Sequence, residues 1–214
     1  MGTLRGIPAI AAFLIVAASG SAFGQALDQF MKAVDTGDSK AAALLLDKGV
    51  DPDSADPKGN TALMIASLQG HRELVALLIE RKASVGRRSA HGDTALMFAA
   101  LKGHLEIVKL LVDKGAAVNQ DGWAPLHYAA FENRTEVLLY LILKGAKKDA
   151  LAPNGYTALM LAARGGHVAA ATALLHEDAD VGIKGPAGET ALGIAIGRKD
   201  EEMVKLLKRA GAAS

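Results

Sequence analysis

From Leu27 onward, short apolar runs of helical length alternate with polar stretches rich in Gly and Pro, and the alternation recurs down the chain. The run from Ala62 to Leu68 is closed by Gly70-His71, and the same break returns at Gly103-His104 and Gly166-His167. Behind each break a second run sets its apolar residues at helical spacing: Leu74, Val75, Leu77 and Leu78, or Ile107, Val108, Leu110 and Leu111, with charges between them. This spacing predicts two short helices around a tight turn, the second ending where Gly115, Gly145 and Gly211 can take a left-handed cap. Stretches such as Asp51-Pro52-Asp53-Ser54 and Ala152-Pro153-Asn154-Gly155 read as turns or hairpin tips. The predicted unit is helix, turn, helix and hairpin-like loop.

A five-residue pattern marks the start of each unit: Gly59-Asn60-Thr61-Ala62-Leu63, Gly92-Asp93-Thr94-Ala95-Leu96, Gly122-Trp123-Ala124-Pro125-Leu126, Gly155-Tyr156-Thr157-Ala158-Leu159 and Gly188-Glu189-Thr190-Ala191-Leu192. The copies lie 33, 30, 33 and 33 residues apart. A fixed period of this size defines an array in which each unit buries its apolar face only against its neighbours. The fold class is therefore an all-α repeat solenoid, with repeats over approximately 25–55, 56–88, 89–118, 119–151, 152–184 and 185–214.

The stretch Ala124-Pro125-Leu126-His127-Tyr128-Ala129-Ala130 resembles the ankyrin signature, and the 33-residue period agrees with it. The resemblance covers Leu27 to Ser214, with five clear repeats and a degenerate first one in which Asp28-Gln29-Phe30-Met31 replaces the Thr-Ala-Leu-Met tetrad. There are departures. The signature Pro is Ala in four repeats, and its His is Met64, Met97, Met160 or Gly193. The Thr–His hydrogen bond common in the family is expected to be missing throughout, because His127 follows Ala124 rather than Thr. The final run from Lys199 to Ala210 buries Met203, Val204, Leu206 and Leu207 and faces water with its charges, as a terminal repeat should.

Residues 1–24 are a different kind of sequence: Arg5, an apolar run from Ile7 to Ala18, and then small residues up to Gly24. The run falls short of the roughly 20 residues that span a bilayer, and Ala22 and Gly24 suit cleavage before Gln25, so a secretory signal peptide is expected. Residues 25–214 then form the repeat domain, with no stable membrane anchor after cleavage. The only basic residue in the leader is Arg5, which leaves 23 basic and 23 acidic residues in the repeat domain and disfavours a nucleic-acid partner. The absence of cysteine excludes disulfides and thiol chemistry, and an exported domain without disulfides fits a bacterial periplasm, with secretion as the alternative.

No catalytic frame is visible, neither a phosphate-binding Gly-rich loop nor a nucleophile elbow nor a His-Glu-x-x-His helix. The in-register His71, His104 and His167 are not expected to hold a metal, since stacked helices lie roughly 8–10 Å apart and zinc bonds are about 2 Å long. They are expected to close the inter-helix turn. The chain is expected to be a non-enzymatic, monomeric module without cofactor or metal that binds another protein. Secreted effector action on a host protein, or binding of a small ligand, are the alternatives.

The resemblance implies that hairpin tips and the exposed ends of the first helices form the binding groove. Trp123, Phe131 and Tyr156 are the candidate anchors, since aromatic residues offer large rigid contact area. Arg88, His91, Asp93, Leu101, Lys102, Glu132, Asn154 and Arg164 are the candidate surround. Tyr128 and Phe98 are assigned to the core, in register with Ile65, Leu161 and Ile194.

Overall fold

The computed structural model of the protein describes residues 24–212. The expected leader over 1–24 lies outside the described residues except for Gly24. Twelve helices are described. The first, α1, spans 24–36 and is followed by α2 (Ser39–Asp47), α3 (Ala62–Gln69), α4 (Arg72–Glu80), α5 (Ala95–Lys102) and α6 (Leu105–Asp113). Then come α7 (Pro125–Phe131), α8 (Thr135–Leu143), α9 (Ala158–Gly165), α10 (Val168–His176), α11 (Ala191–Gly197) and α12 (Glu201–Arg209). Among the described residues the hairpin loops carry one isolated antiparallel bridge, Ala55 with Thr61.

Two layers result. The first helices stack as α3, α5, α7, α9 and α11, and the second helices stack behind them as α2, α4, α6, α8, α10 and α12. The inner row packs more extensively because its contact positions are small: Ala66, Ala99, Ala129 and Ala162 are fully buried and let backbones approach. The outer row contributes bulk, with Leu74, Leu78, Leu111, Leu138 and Leu141 fully covered. Each such side chain contributes about 1.5–3 kcal/mol. In the degenerate first repeat Phe30 and Val34 are fully covered, while Asp28 and Gln29 face water.

The recurring Thr is a helix cap. Thr61, Thr94 and Thr157 accept the N–H of Met64, Met97 and Met160 at 3.3, 3.3 and 3.2 Å, and Thr190 accepts that of Gly193 at 3.1 Å. Where the family's His would return this bond, methionine sulfur does so in two repeats. The sulfur of Met64 accepts the Thr61 N–H at 3.4 Å, and that of Met97 accepts the Thr94 N–H at 3.2 Å. In the fourth repeat His127 Nδ1 accepts the Ala124 N–H at 3.0 Å, but Ala124 has no hydroxyl to answer. Ala124 shares the extended backbone of Thr94, φ −113° against −116°. Replacing Ala124 by Thr should therefore raise stability by about 1 kcal/mol in a urea titration, and an unchanged midpoint would exclude the missing cap.

The in-register histidines do not close their own turn. They reach back one repeat: His71 Nε2 lies 3.1 Å from the Asp35 carbonyl, His104 Nε2 3.3 Å from that of Leu68, and His167 Nε2 2.9 Å from that of Phe131. Arg134 does the same in the fourth repeat, its Nε donating to the Leu101 carbonyl at 3.1 Å. Each of these residues precedes its helix without capping it, whereas the equivalent Asp38 and Asp200 cap α2 and α12 themselves. The inner repeats thus use this position to bind the preceding repeat.

A second tie joins the hairpin bases. Asp53 accepts the Ser84 N–H at 2.8 Å, Asn119 that of Lys147 at 2.9 Å, and Asp149 that of Asp180 at 3.0 Å. At the remaining junction of this series the acceptor position is Gly86, whose added Cβ would meet open space. Gly86→Asp should supply the missing tie to Ala117 and also restrict the unfolded chain. The expected gain is about 1 kcal/mol, read as a higher denaturation midpoint. No gain would mean that the Ala117 N–H is out of reach.

Candidate partner-binding groove

The residue before each capping position sits at a hairpin tip held by its own carbonyl. The carbonyls of Asn60, Asp93, Tyr156 and Glu189 accept the backbone N–H of Asp56, Ser89, Ala152 and Gly185, at 2.9, 2.9, 2.9 and 2.7 Å. The fourth repeat, three residues shorter here, has no equivalent N–H. The side chain of Gln120 substitutes, its Nε2 donating to the Trp123 carbonyl at 2.9 Å. Trp123 is therefore positioned despite the deletion.

Its ring is also packed. Trp123 meets the His127 ring edge-on with centroids 5.9 Å apart, and lies tilted against Tyr128 at 5.6 Å. His127 is buried and doubly bonded: Nδ1 accepts from Ala124, so Nε2 carries the proton and faces the Ala150 carbonyl at 2.9 Å. Burial lowers its pKa, outweighing the opposing effect of the Ala150 carbonyl. Tyr128 is half-buried rather than a core residue. Its hydroxyl donates to Asp93 Oδ1 at 2.5 Å, spanning the third and fourth repeats. Burial first, and then the Asp93 carboxylate, push the Tyr128 pKa up. Phe98 is likewise half-buried, whereas Leu161 in the same register is buried.

One repeat further on, Tyr156 forms a second group. The Arg164 guanidinium lies 5.8 Å from the ring centroid, and the Glu189 carboxylate pushes the hydroxyl pKa up. Asn154 Oδ1 accepts the Tyr156 N–H at 3.1 Å and fixes the tip. Glu189 is held below its ordinary pKa by its own backbone N–H first and then by the Tyr156 hydroxyl, with the Ala187 N–H at 2.8 Å adding less.

The other predicted residues are spread out. Arg88 and His91 are exposed in the loop before α5, and Lys102 is exposed at the end of α5. Leu101 is half-buried and its carbonyl is taken by Arg134. Glu132 is half-buried and pairs with Arg134 at 3.7 Å. Phe131 is 49% exposed at the far end of α7 from Trp123, about one helix length or ~10 Å away. The ring contacts and hydrogen bonds thus join Trp123 to Asp93 through Tyr128, and Tyr156 to Arg164, but they do not tie Phe131 to either group. Tyr128, expected in the core, and Gln120 join the site. A Tyr at the usual core register, and a Gln beside a three-residue deletion, were the available signals.

Among the described residues no cluster of three metal-ligating side chains occurs. Stacked helix pairs behind a row of hairpin tips define the class of helical-repeat interaction domains. The chain matches the family described as ankyrin repeats over residues 9–89, 30–121, 84–152 and 143–213, and it belongs to that family. It is 41% identical over 92 residues to an ankyrin repeat-containing protein of Treponema pallidum (strain Nichols), covering 42% of this chain and 31% of that one. It is 38% identical over 90 residues to ankyrin repeat domain-containing protein 13B of Mus musculus, covering 42% of this chain and 14% of that one. The chain therefore spans less than a third of the length of either relative. The crystal structure of the human ASB11 ankyrin repeat domain superposes with a TM-score of 0.81 at 26% identity, over 86% of this chain and 84% of that one. Ankyrin repeats are general protein–protein interaction modules, and the family is typically non-enzymatic.

Proposed function

We propose that this chain is a periplasmic interaction module that docks a partner protein through the groove of hairpin tips and first helices. The observation carrying the reading is the ordered aromatic tip: Trp123 is held by Gln120, His127 and Tyr128 in a repeat whose hairpin is shortened. A large ring fixed before binding loses little entropy on contact, which is what an interface anchor requires. Tyr156 with Arg164 extends the surface into the next repeat, and Phe131 supplies a separate apolar contact at the other end of α7. The periplasmic assignment rests on the leader-like segment and the absence of cysteine.

The test uses the chain as bait in periplasmic extract beside the Trp123→Ala/Phe131→Ala/Tyr156→Ala variant, followed by titration of the captured protein once purified. Its affinity should fall at least tenfold, about 1.4 kcal/mol, for the variant while the variant's helical melt stays cooperative. A convex-face control, Leu143→Ala, should bind like wild type, since Leu143 is 80% exposed on α8. Equal binding by all three proteins would exclude the groove.

A further inference from the structure

The two outer faces of the described array are not equivalent. At the turn-proximal end of the inner first helices, Ser67, Ala100, Ala130 and Ala163 are fully buried, and in the second helices Val75, Val108, Leu138 and Ala171 are fully buried. The helices that carry them pack against those of the next repeat, α9 against α11 and α10 against α12. The final repeat keeps apolar residues in this register, Ile196 and Val204, yet Ile196 is 51% exposed and Val204 only half-buried. At the other end, Gln29 stands exposed in the register of the buried Ala62, Ala95 and Ala158. Among the described residues, the first repeat thus presents a polar residue on its outward face and the sixth presents an apolar one.

Ile196 and Val204 form the floor of a shallow cavity of about 610 Å³ rimmed by Lys199, Lys205, Lys208 and Glu201. All four rim residues are exposed, and none takes part in an ion pair among the described residues. We infer that this terminal face is a second docking site, which takes an amphipathic helix of a partner protein with an apolar stripe flanked by acidic residues. The register argues for a helix, because at every inner junction these buried positions lie on helices that pack against helices of the next repeat. The rim argues for acid, because three lysines face one glutamate. Two copies meeting tail to tail through this face would oppose like charges, which disfavours self-association here. The site is distinct from the groove and stands or falls separately from it.

The probe is a fluorescein-labelled 18-residue helical peptide with Leu at i, i+3, i+4 and i+7 and Glu along both flanks, beside a twin carrying Lys in place of Glu. With the full chain, fluorescence anisotropy should show saturable binding of the Glu peptide and at least tenfold weaker binding of the twin. Lys205→Glu/Lys208→Glu should weaken the Glu peptide at least tenfold, and Ile196→Asp should do so too. The charge-neutral Lys205→Gln/Lys208→Gln variant provides an intermediate loss if a reversed pair disturbs α12. The groove triple variant should bind the peptide like wild type. Absence of saturable binding, equal binding of both peptides, or retained binding by the lysine variants would overturn the site. So would dimerisation in sedimentation that Ile196→Asp abolishes, since a second copy would then be the occupant.

Discussion

Replacing His127 by Phe should lower stability by about 2–4 kcal/mol at neutral pH, measured by urea denaturation. Phe fills similar space but strands two partners, the Ala124 N–H and the Ala150 carbonyl, each costing about 1–3 kcal/mol when left unpaired. Met is the informative comparison. At the same register Met64 and Met97 accept the equivalent N–H through sulfur at 3.4 and 3.2 Å. His127→Met should therefore strand only the Ala150 carbonyl and cost about 1–2 kcal/mol. The pH dependence separates the two effects. Burial lowers the folded His127 pKa, so below the unfolded value of about 6.5 the unfolded chain binds more protons at this site. The stabilisation is complete above that pH and is lost as pH falls through the folded pKa. The gap between wild type and His127→Met should thus narrow from pH 7 to pH 5, and parallel curves would show that His127 is not the titrating group.

Gly70→Ala should cost about 2–3 kcal/mol, more than a left-handed glycine ordinarily demands. Gly70 caps α3 at φ 85°, where an L side chain costs about 1 kcal/mol or more. Its added Cβ would also stand 2.6 Å from Cε1 of the His104 ring, which lies over Gly70 to reach the Leu68 carbonyl. The ring would have to leave, and its inter-repeat hydrogen bond with it, for about another 1 kcal/mol. In a His104→Ala background only the backbone cost should remain, a coupling of about 1 kcal/mol in the double-mutant cycle. Gly115→Ala supplies the control, since Gly115 has φ 88° but open space beyond its Cβ. Equal costs at Gly70 in both backgrounds would exclude the ring as the cause.

Within the groove, legibility followed the range of the interaction. Trp123 and Tyr156 could be placed at hairpin tips because the pentad fixes their offset from the helix start. That Trp123 rests on Tyr128 could not be read, because the shortened hairpin folds the ring back onto its own helix, nor that Tyr128 reaches Asp93, because that pair meets only across the junction between repeats. Phe131 and Trp123 are eight residues apart and look adjacent in sequence, yet α7 holds them at opposite ends.

The sequence by itself determined the repeat number, the helix pairs and the family, because helical periodicity, turn glycines and a 33-residue register are local signals that five copies reinforce. Only the tertiary structure decided what the recurring polar residues do. His71, His104 and His167 bind carbonyls 36 residues away, Asp53 and Asp149 tie loops 31 residues apart, and the Met sulfurs take over a histidine's bond. Such contacts depend on the rise and twist with which one repeat stacks on the next. That geometry is set by the summed packing of small and large side chains across each junction, and no single repeat's sequence contains it.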